Sequence, residues 1–199
     1  MMRFFREGEA GWLSAQDLPN APFTCGFCST TVSSVKGYRL GLHGGGSGQQ
    51  IGAIYLCPNC GGPVFFAPNG VRYPAPALGK SVQHVPNALN TLYEEARRCT
   101  GQTCYTAAVL VCRKMLMNIA VEQGAPEGLK FIDYVAYLSD KGYVPPNGKH
   151  WVDHIRKKGN EATHEIALMG ENDSKELLGF VEMLLRFIYE FPKMVPTSP

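Results

Sequence analysis

Two different periods of apolar residues divide the chain. Up to about Arg72 they come in short β-rich runs: TTVSSVKGYRLGLH at 30–43, IGAIYL at 51–56 and PVFFA at 63–67. Valine, isoleucine, threonine and aromatic residues between Gly and Pro breakers predict strands. Gly37 marks a candidate break in the first run, and GGGSGQQ at 44–50 reads as a loop tip. YPAPALGK at 73–80, with Pro74 and Pro76 among small residues, reads as a linker.

From about Pro86 the apolar period becomes helical. VPNALNTLYEEARRC at 85–99 aligns Val85, Leu89, Leu92 and Ala96, with Pro86 suited to a first turn. TCYTAAVLVCRKMLMNIAVEQ at 103–123 predicts the longest helix, buried through Tyr105, Ala108, Cys112, Met115 and Ile119 and ended by Gly124. LKFIDYVAYLSDK at 129–141 follows, closed by Gly142, and PPNG at 145–148 is a turn. HWVDHIRKKGNEATHEIAL at 150–168 predicts a fourth helix and SKELLGFVEMLLRFIYEF at 174–191 a fifth. Asp173 with Glu176 reads as a capping box for the fifth. Leu177, Val181, Leu184 and Ile188 form its core stripe, and Pro192 stops it. The pattern predicts an α+β, mainly α protein: a small β module at 1–72, a linker at 73–84 and a bundle of about five helices at 85–199.

Composition and charge narrow the setting. The chain has 199 residues, 45% hydrophobic and 18% charged, as in ordinary globular proteins. No apolar run approaches the roughly 18 residues of a membrane helix. The opening MMRFFREGEAG does not read as a secretory signal. A cytoplasmic protein without membrane partners is expected. The net charge is +2, with six Lys/Arg against three Asp/Glu in residues 1–80 and thirteen against fourteen beyond. That excludes the strongly basic surface of a non-specific nucleic-acid binder, so any such contact is local.

Seven cysteines occupy 25, 28, 57, 60, 99, 104 and 112. An odd count without a secretory signal argues against a disulfide framework. CGFC at 25–28 and CPNC at 57–60 are two CxxC pairs beside strand-like runs, the spacing that supplies four thiolates to tetrahedral Zn²⁺. Gly26, Gly61 and Gly62 suit close backbone approach and positive φ. The alternatives are free structural thiols or a redox dithiol; the latter needs a CxxC at a helix start, and neither pair precedes a helix. Cys25, Cys28, Cys57 and Cys60 are therefore expected to hold one structural zinc per chain. Four protein ligands leave no position for substrate. Cys99, Cys104 and Cys112 read as small core residues or as incidental. Lys36, Tyr38 and Arg39 are the local candidates for phosphate or base contact in this module, against the plainer reading of a solvated strand face.

The second candidate site is RKKGNEATHE at 156–165. Arg156, Asn160 and His164 stand four residues apart, on one face of a helix. Arg156, Lys157 and Lys158, with Lys149, His150 and His154 nearby, are the densest positive cluster and the candidate phosphate contact. His164 could act as a base near neutral pH, and Arg156 or Lys158 could balance phosphorane charge. Gly159 instead invites a close helix contact, with Asn160 and His164 as a clasp and Arg156 paired to Glu94, Glu95 or Asp153.

Two resemblances add to this reading. Residues 23–66 resemble the zinc-ribbon family, whose members often touch nucleic acid or protein. Residues 72–192 resemble the bacterial domain-of-unknown-function family 4145, often found near restriction and phage-defence genes, through YPAP, LYEEARRC, CRKML and IRKKGNEATH. That family is similar to HEPN domains, helical bundles that commonly dimerise and include metal-independent ribonucleases. The HEPN pattern places arginine, a polar residue and histidine as here at Asn160 and His164. The position before Asn160 holds Gly159 rather than arginine. The resemblance implies a homodimer through the helical domain, with Phe180, Leu184, Phe187 and Ile188 at its surface. The expected function is a non-catalytic nucleic-acid or nucleotide-binding accessory protein of a restriction or phage-defence system. The alternatives are a metal-independent ribonuclease with a composite dimer site using Arg156, Asn160 and His164, or an adaptor that grips a protein partner through the ribbon.

Overall fold

The computed structural model describes residues 4, 10–42, 50–144, 151–155 and 168–194. The chain divides into two units, Met1–Ala77 and Leu78–Pro199. An antiparallel sheet followed by helices makes the α+β layout that the sequence predicts.

In the front unit β1 (Gln16–Thr24), β2 (Thr31–Gly41), β3 (Gln50–Leu56), β4 (Pro63–Phe66) and β5 (Arg72–Tyr73) form one five-stranded antiparallel meander in sequence order. β1 escapes the sequence reading because Pro19 and Pro22 interrupt its pattern. It is tolerated as an edge strand whose pairing with β2 shifts register between Asp17 and Ala21. Gly37 does not break β2. A Cβ there would lie 1.9 Å from the Ile54 carbonyl oxygen, so glycine lets two paired strands approach. The core is small: Leu18, Phe23, Ala53, Tyr55 and Val64 pack with Cys25, Cys57 and Cys60. Phe66 meets both Phe23 and Tyr55 edge to face, with Tyr55 and Phe66 centroids 4.9 Å apart, and Phe23 is tilted against Tyr55.

In the second unit α1 (Asn87–Gly101), α2 (Tyr105–Glu122), α3 (Phe131–Asp140), the described part of α4 (151–155) and α5 (Glu171–Leu185) follow in order. α2 touches α1, α3 and α5, which is why it buries Val109, Leu116 and Ala120 beyond its expected stripe. The α1 face is rotated by one position. Tyr93 and Arg97 are buried while Leu92 is only partly so. α5 starts earlier than its expected capping box. Gly170 is the N-cap, and its N–H donates to Asp173 Oδ2 at 2.9 Å from the third helical position. Glu176 is instead 2.6 Å from His154 Nε2, tying α4 to α5.

Pro192 does not end the last helix. A π-turn at Arg186–Glu190 leads into α6 (Phe191–Met194), which contains the proline. A wider turn removes the clash that a proline ring makes with the fourth carbonyl back. Phe180 and Leu184, expected at a dimer surface, are fully buried in the chain's own core. Ile188 packs partly against that core, and Phe187 stays exposed.

The segment Leu78–Gln83 is fastened across α1 and α5. Arg97, 4% exposed, donates from Nε to the Leu78 carbonyl at 2.8 Å, from one terminal nitrogen to the Gly79 carbonyl at 2.8 Å, and from the other to both Glu94 carboxylate oxygens at 2.7 Å. The Lys80 N–H donates to Glu182 Oε2 at 3.0 Å and the Gln83 N–H to Glu190 Oε1 at 3.2 Å. Burial, then the nearby Glu182 charge, holds the Tyr93 hydroxyl well above the usual phenol range. It therefore stays a donor, to the Lys80 carbonyl at 2.8 Å and to Glu182 at 3.2 Å.

Candidate metal centre

Each cysteine pair folds into the same turn. The Cys25 N–H donates to the Thr30 carbonyl at 3.0 Å and the Ser29 N–H to the Cys25 carbonyl at 2.8 Å. The Cys57 N–H donates to the Gly62 carbonyl at 2.9 Å and the Gly61 N–H to the Cys57 carbonyl at 2.8 Å. Residue offsets are identical, and in each turn the residue after the second cysteine is left-handed: Ser29 at φ 57° and Gly61 at φ 76°. Positive φ was expected at Gly26, Gly61 and Gly62; of these only Gly61 has it. Gly26 and Gly62 serve close approach instead. A Cβ on Gly26 would lie 2.1 Å from the Pro74 carbonyl oxygen, and one on Gly62 would lie 2.7 Å from the Phe27 ring.

The turns bring four sulfurs together. Cys25 Sγ is 3.8 Å from Cys60 Sγ, Cys28 Sγ is 3.8 Å from Cys57 Sγ, and all four lie within 4.8 Å of one another. A disulfide would bring two sulfurs to about 2.05 Å. A tetrahedral site with metal–sulfur bonds of about 2.3 Å has sulfur–sulfur edges of about 3.8 Å. The donors therefore fit a four-thiolate metal ion. Cys25, Cys57 and Cys60 are buried and Cys28 is half-buried.

Donors surround the sulfurs as well. The Gly62 N–H points at Cys60 Sγ at 3.4 Å, and Asn59 Nδ2 donates to Cys28 Sγ at 3.4 Å and Thr30 Oγ1 at 3.0 Å. Burial works to raise the Cys28 thiol, yet hydrogen bonds from Asn59 and Thr30 outweigh it and bring it down to about 6. Burial holds Cys25 and Cys60 above the ordinary thiol range. A metal ion entering the cluster must displace those protons. Asn59 escaped the sequence reading. Its signal was available: of the four residues inside the two CxxC turns, Gly26, Phe27, Pro58 and Asn59, it alone has a polar side chain.

The other candidates disperse. Arg156, Lys157, Lys158, Asn160 and His164 lie outside the described residues, as do Gly159, Lys149 and His150. Glu94, one proposed partner of Arg156, is engaged by Arg97. Lys36 pairs with Asp17 at 2.7 Å, and the Tyr38 hydroxyl donates to the Leu13 carbonyl. Cys112 is a core residue whose thiol burial pushes up to about 12, Cys99 is half-buried and Cys104 is exposed.

The fold and the cluster define an α+β protein with a four-cysteine candidate metal centre in its sheet unit. Residues 94–197 match the family described as Domain of unknown function (DUF4145), and the chain belongs to that family. No curated protein and no solved structure matches the chain. Among the described residues no helix is long and apolar enough to cross a membrane.

Proposed function

We propose that the chain is a non-catalytic nucleic-acid-binding accessory protein, built from a zinc ribbon and an HEPN-like helical bundle. The observation that carries a structural rather than catalytic metal is the closed four-sulfur cluster. Zinc is the metal that four thiolates at 3.8 Å edges suit best, and it would have no open position for substrate. The nucleic-acid reading is supported by the charge of the sheet unit. Among its described residues Lys36, Arg39 and Arg72 face one carboxylate, Asp17, which is already paired with Lys36. Two arginines are thus left for a polyanion.

Native mass spectrometry of the whole chain is expected to show one zinc, lost in Cys57→Ser together with folding of the sheet unit. A folded, metal-free sheet unit would overturn the zinc assignment. Binding of mixed-sequence RNA and DNA oligonucleotides at rising salt tests the rest: affinity falls with salt for a nucleic-acid binder, and no binding at low salt rejects the reading. The same proposal includes a homodimer through the helical unit, supported by exposed Phe187, Phe191 and Met194 along its last turns. A monomer by sedimentation at micromolar concentration would remove that part.

A further inference from the structure

Arg39, a candidate phosphate contact from the sequence, belongs to a cross-strand row that the sequence does not reveal. Arg39 on β2 pairs with Ala53 on β3, Ala53 with Phe66 on β4, and Phe66 with Arg72 on β5. Directly paired residues share a face of the sheet. The row therefore sets two arginines on either side of an aromatic floor. A shallow dish of about 340 Å³ opens beside this row, lined in part by Ala21, Ile51, Ala53, Tyr55 and Phe66, with Arg39 and Arg72 outside its lining. The Arg72 guanidinium sits 5.8 Å from the Phe66 ring centroid. Phe66 is fixed edgewise by Phe23 at 5.4 Å and Tyr55 at 4.9 Å, and the Tyr55 hydroxyl is engaged by the Pro19 carbonyl at 2.8 Å. The floor is thus rigid and apolar. Neither arginine has an ion pair or side-chain hydrogen bond among the described residues.

We propose that this dish binds unpaired, single-stranded nucleic acid, with bases laid on Phe66 and the Arg72 guanidinium and flanking phosphates on Arg39 and Arg72. The inference rests on the nucleic-acid reading above and gives it a site and a strand preference. Three strand spacings of about 4.8 Å put the two arginines about 14 Å apart. That span accommodates a short run of unpaired nucleotides. Every base presents a π-face, so an aromatic floor with cationic edges takes single strands with little sequence preference. In a duplex the π-faces are stacked inside and cannot reach the floor. Acidic peptides would satisfy the arginines but leave the aromatic floor without a partner.

The test is fluorescence anisotropy on the zinc-loaded full chain, with a mixed-sequence single-stranded 12-mer of RNA, its DNA equivalent and the matching duplex. Single strands are expected to bind at least about tenfold more tightly than duplex. Arg39→Ala and Arg72→Ala should each weaken binding and lower the salt slope by roughly 0.7. Phe66→Leu should weaken binding about tenfold at an unchanged slope. Lys193→Glu, in the helical unit, should change nothing. Retained zinc shows that each variant is folded, and the two arginine variants decide the matter if Phe66→Leu loses its metal. If the wild type binds single strands and both arginine variants bind as tightly, the dish is overturned while the nucleic-acid reading stands. Equal affinity for duplex, or binding of poly-glutamate alone, also overturns the dish. If the wild type binds no oligonucleotide at all, both readings fall.

Discussion

Replacing Arg97 by methionine tests whether the Leu78–Gln83 segment is fastened by one side chain. Methionine keeps most of the volume and helix propensity and removes every donor. The Leu78 and Gly79 carbonyls would lose their 2.8 Å bonds, and Glu94 would lose its cation. Unsatisfied buried acceptors cost about 1–3 kcal/mol each, and breaking a buried ion pair about 3–5. The Glu94 side chain is 26% exposed and recovers part of its hydration, so the low end applies: about 3 kcal/mol. For a helical unit of this size that is a Tm loss of roughly 10 °C. Glu94→Gln in the same chain should return about 1 kcal/mol, because no stranded charge remains. Urea unfolding followed by far-UV circular dichroism reads the helical transition, and zinc release reports the sheet unit separately. A loss below about 1 kcal/mol for Arg97→Met would refute the clasp.

Four further outcomes are expected. Asn59→Ala should lower zinc affinity about 10- to 100-fold at unchanged stoichiometry, measured by competition with a chromogenic chelator, because the donor to Cys28 Sγ and Thr30 Oγ1 is gone. Gly37→Ala should prevent stable folding of the sheet unit, whereas Gly11→Ala, with open space around it, should leave zinc loading unchanged; equal behaviour of the two would refute the close-approach argument. Gly61→Ala should cost about 1–2 kcal/mol in chemical unfolding of the sheet unit while Ser29→Gly costs none, since both positions are left-handed. Thr100 and Ser174 share a buried 2.7 Å hydroxyl contact, so Ser174→Ala should cost about 1–3 kcal/mol and the double variant with Thr100→Val no more than that, as read by thermal melts.

The four-cysteine cluster was legible because ligand chemistry fixes sequence spacing directly: two residues between sulfurs make one tight turn, and two such turns bring four sulfurs together. The residue just after each pair was harder to see. Ser29 takes the left-handed conformation that Gly61 takes without strain, and serine does not announce it. Helices were legible from period, but their exact faces were not. On α1 a buried arginine satisfied by backbone carbonyls lets the face rotate onto Tyr93 and Arg97, and charge alone would have placed Arg97 outside. The Leu78–Gln83 segment looked like free linker because its anchors are mostly backbone groups, which every sequence has. Pro192 looked like a stop because a π-turn has no sequence signature of its own. The dish was invisible for a different reason: Arg39, Phe66 and Arg72 are distant in sequence and meet only through strand register.

The division of labour between the two units follows from what each can bury. Among the described residues the helical unit has a core of 25 buried ones, with Phe180, Met115 and Leu116 fully enclosed. The sheet unit has eight, and three of them are the metal-site cysteines Cys25, Cys57 and Cys60. A metal held there would therefore do more than fill a ligand site: it would link the Cys25–Cys28 and Cys57–Cys60 turns, which a core of five other residues cannot do alone. Metal binding energy in such a site is folding energy. It also fits strands that carry Gly37 and Gly52, and exposed Leu40 and Tyr73, without a larger apolar interior. The sheet's register sets Arg39, Phe66 and Arg72 in one row, with Arg39 exposed and Phe66 packed against the small core.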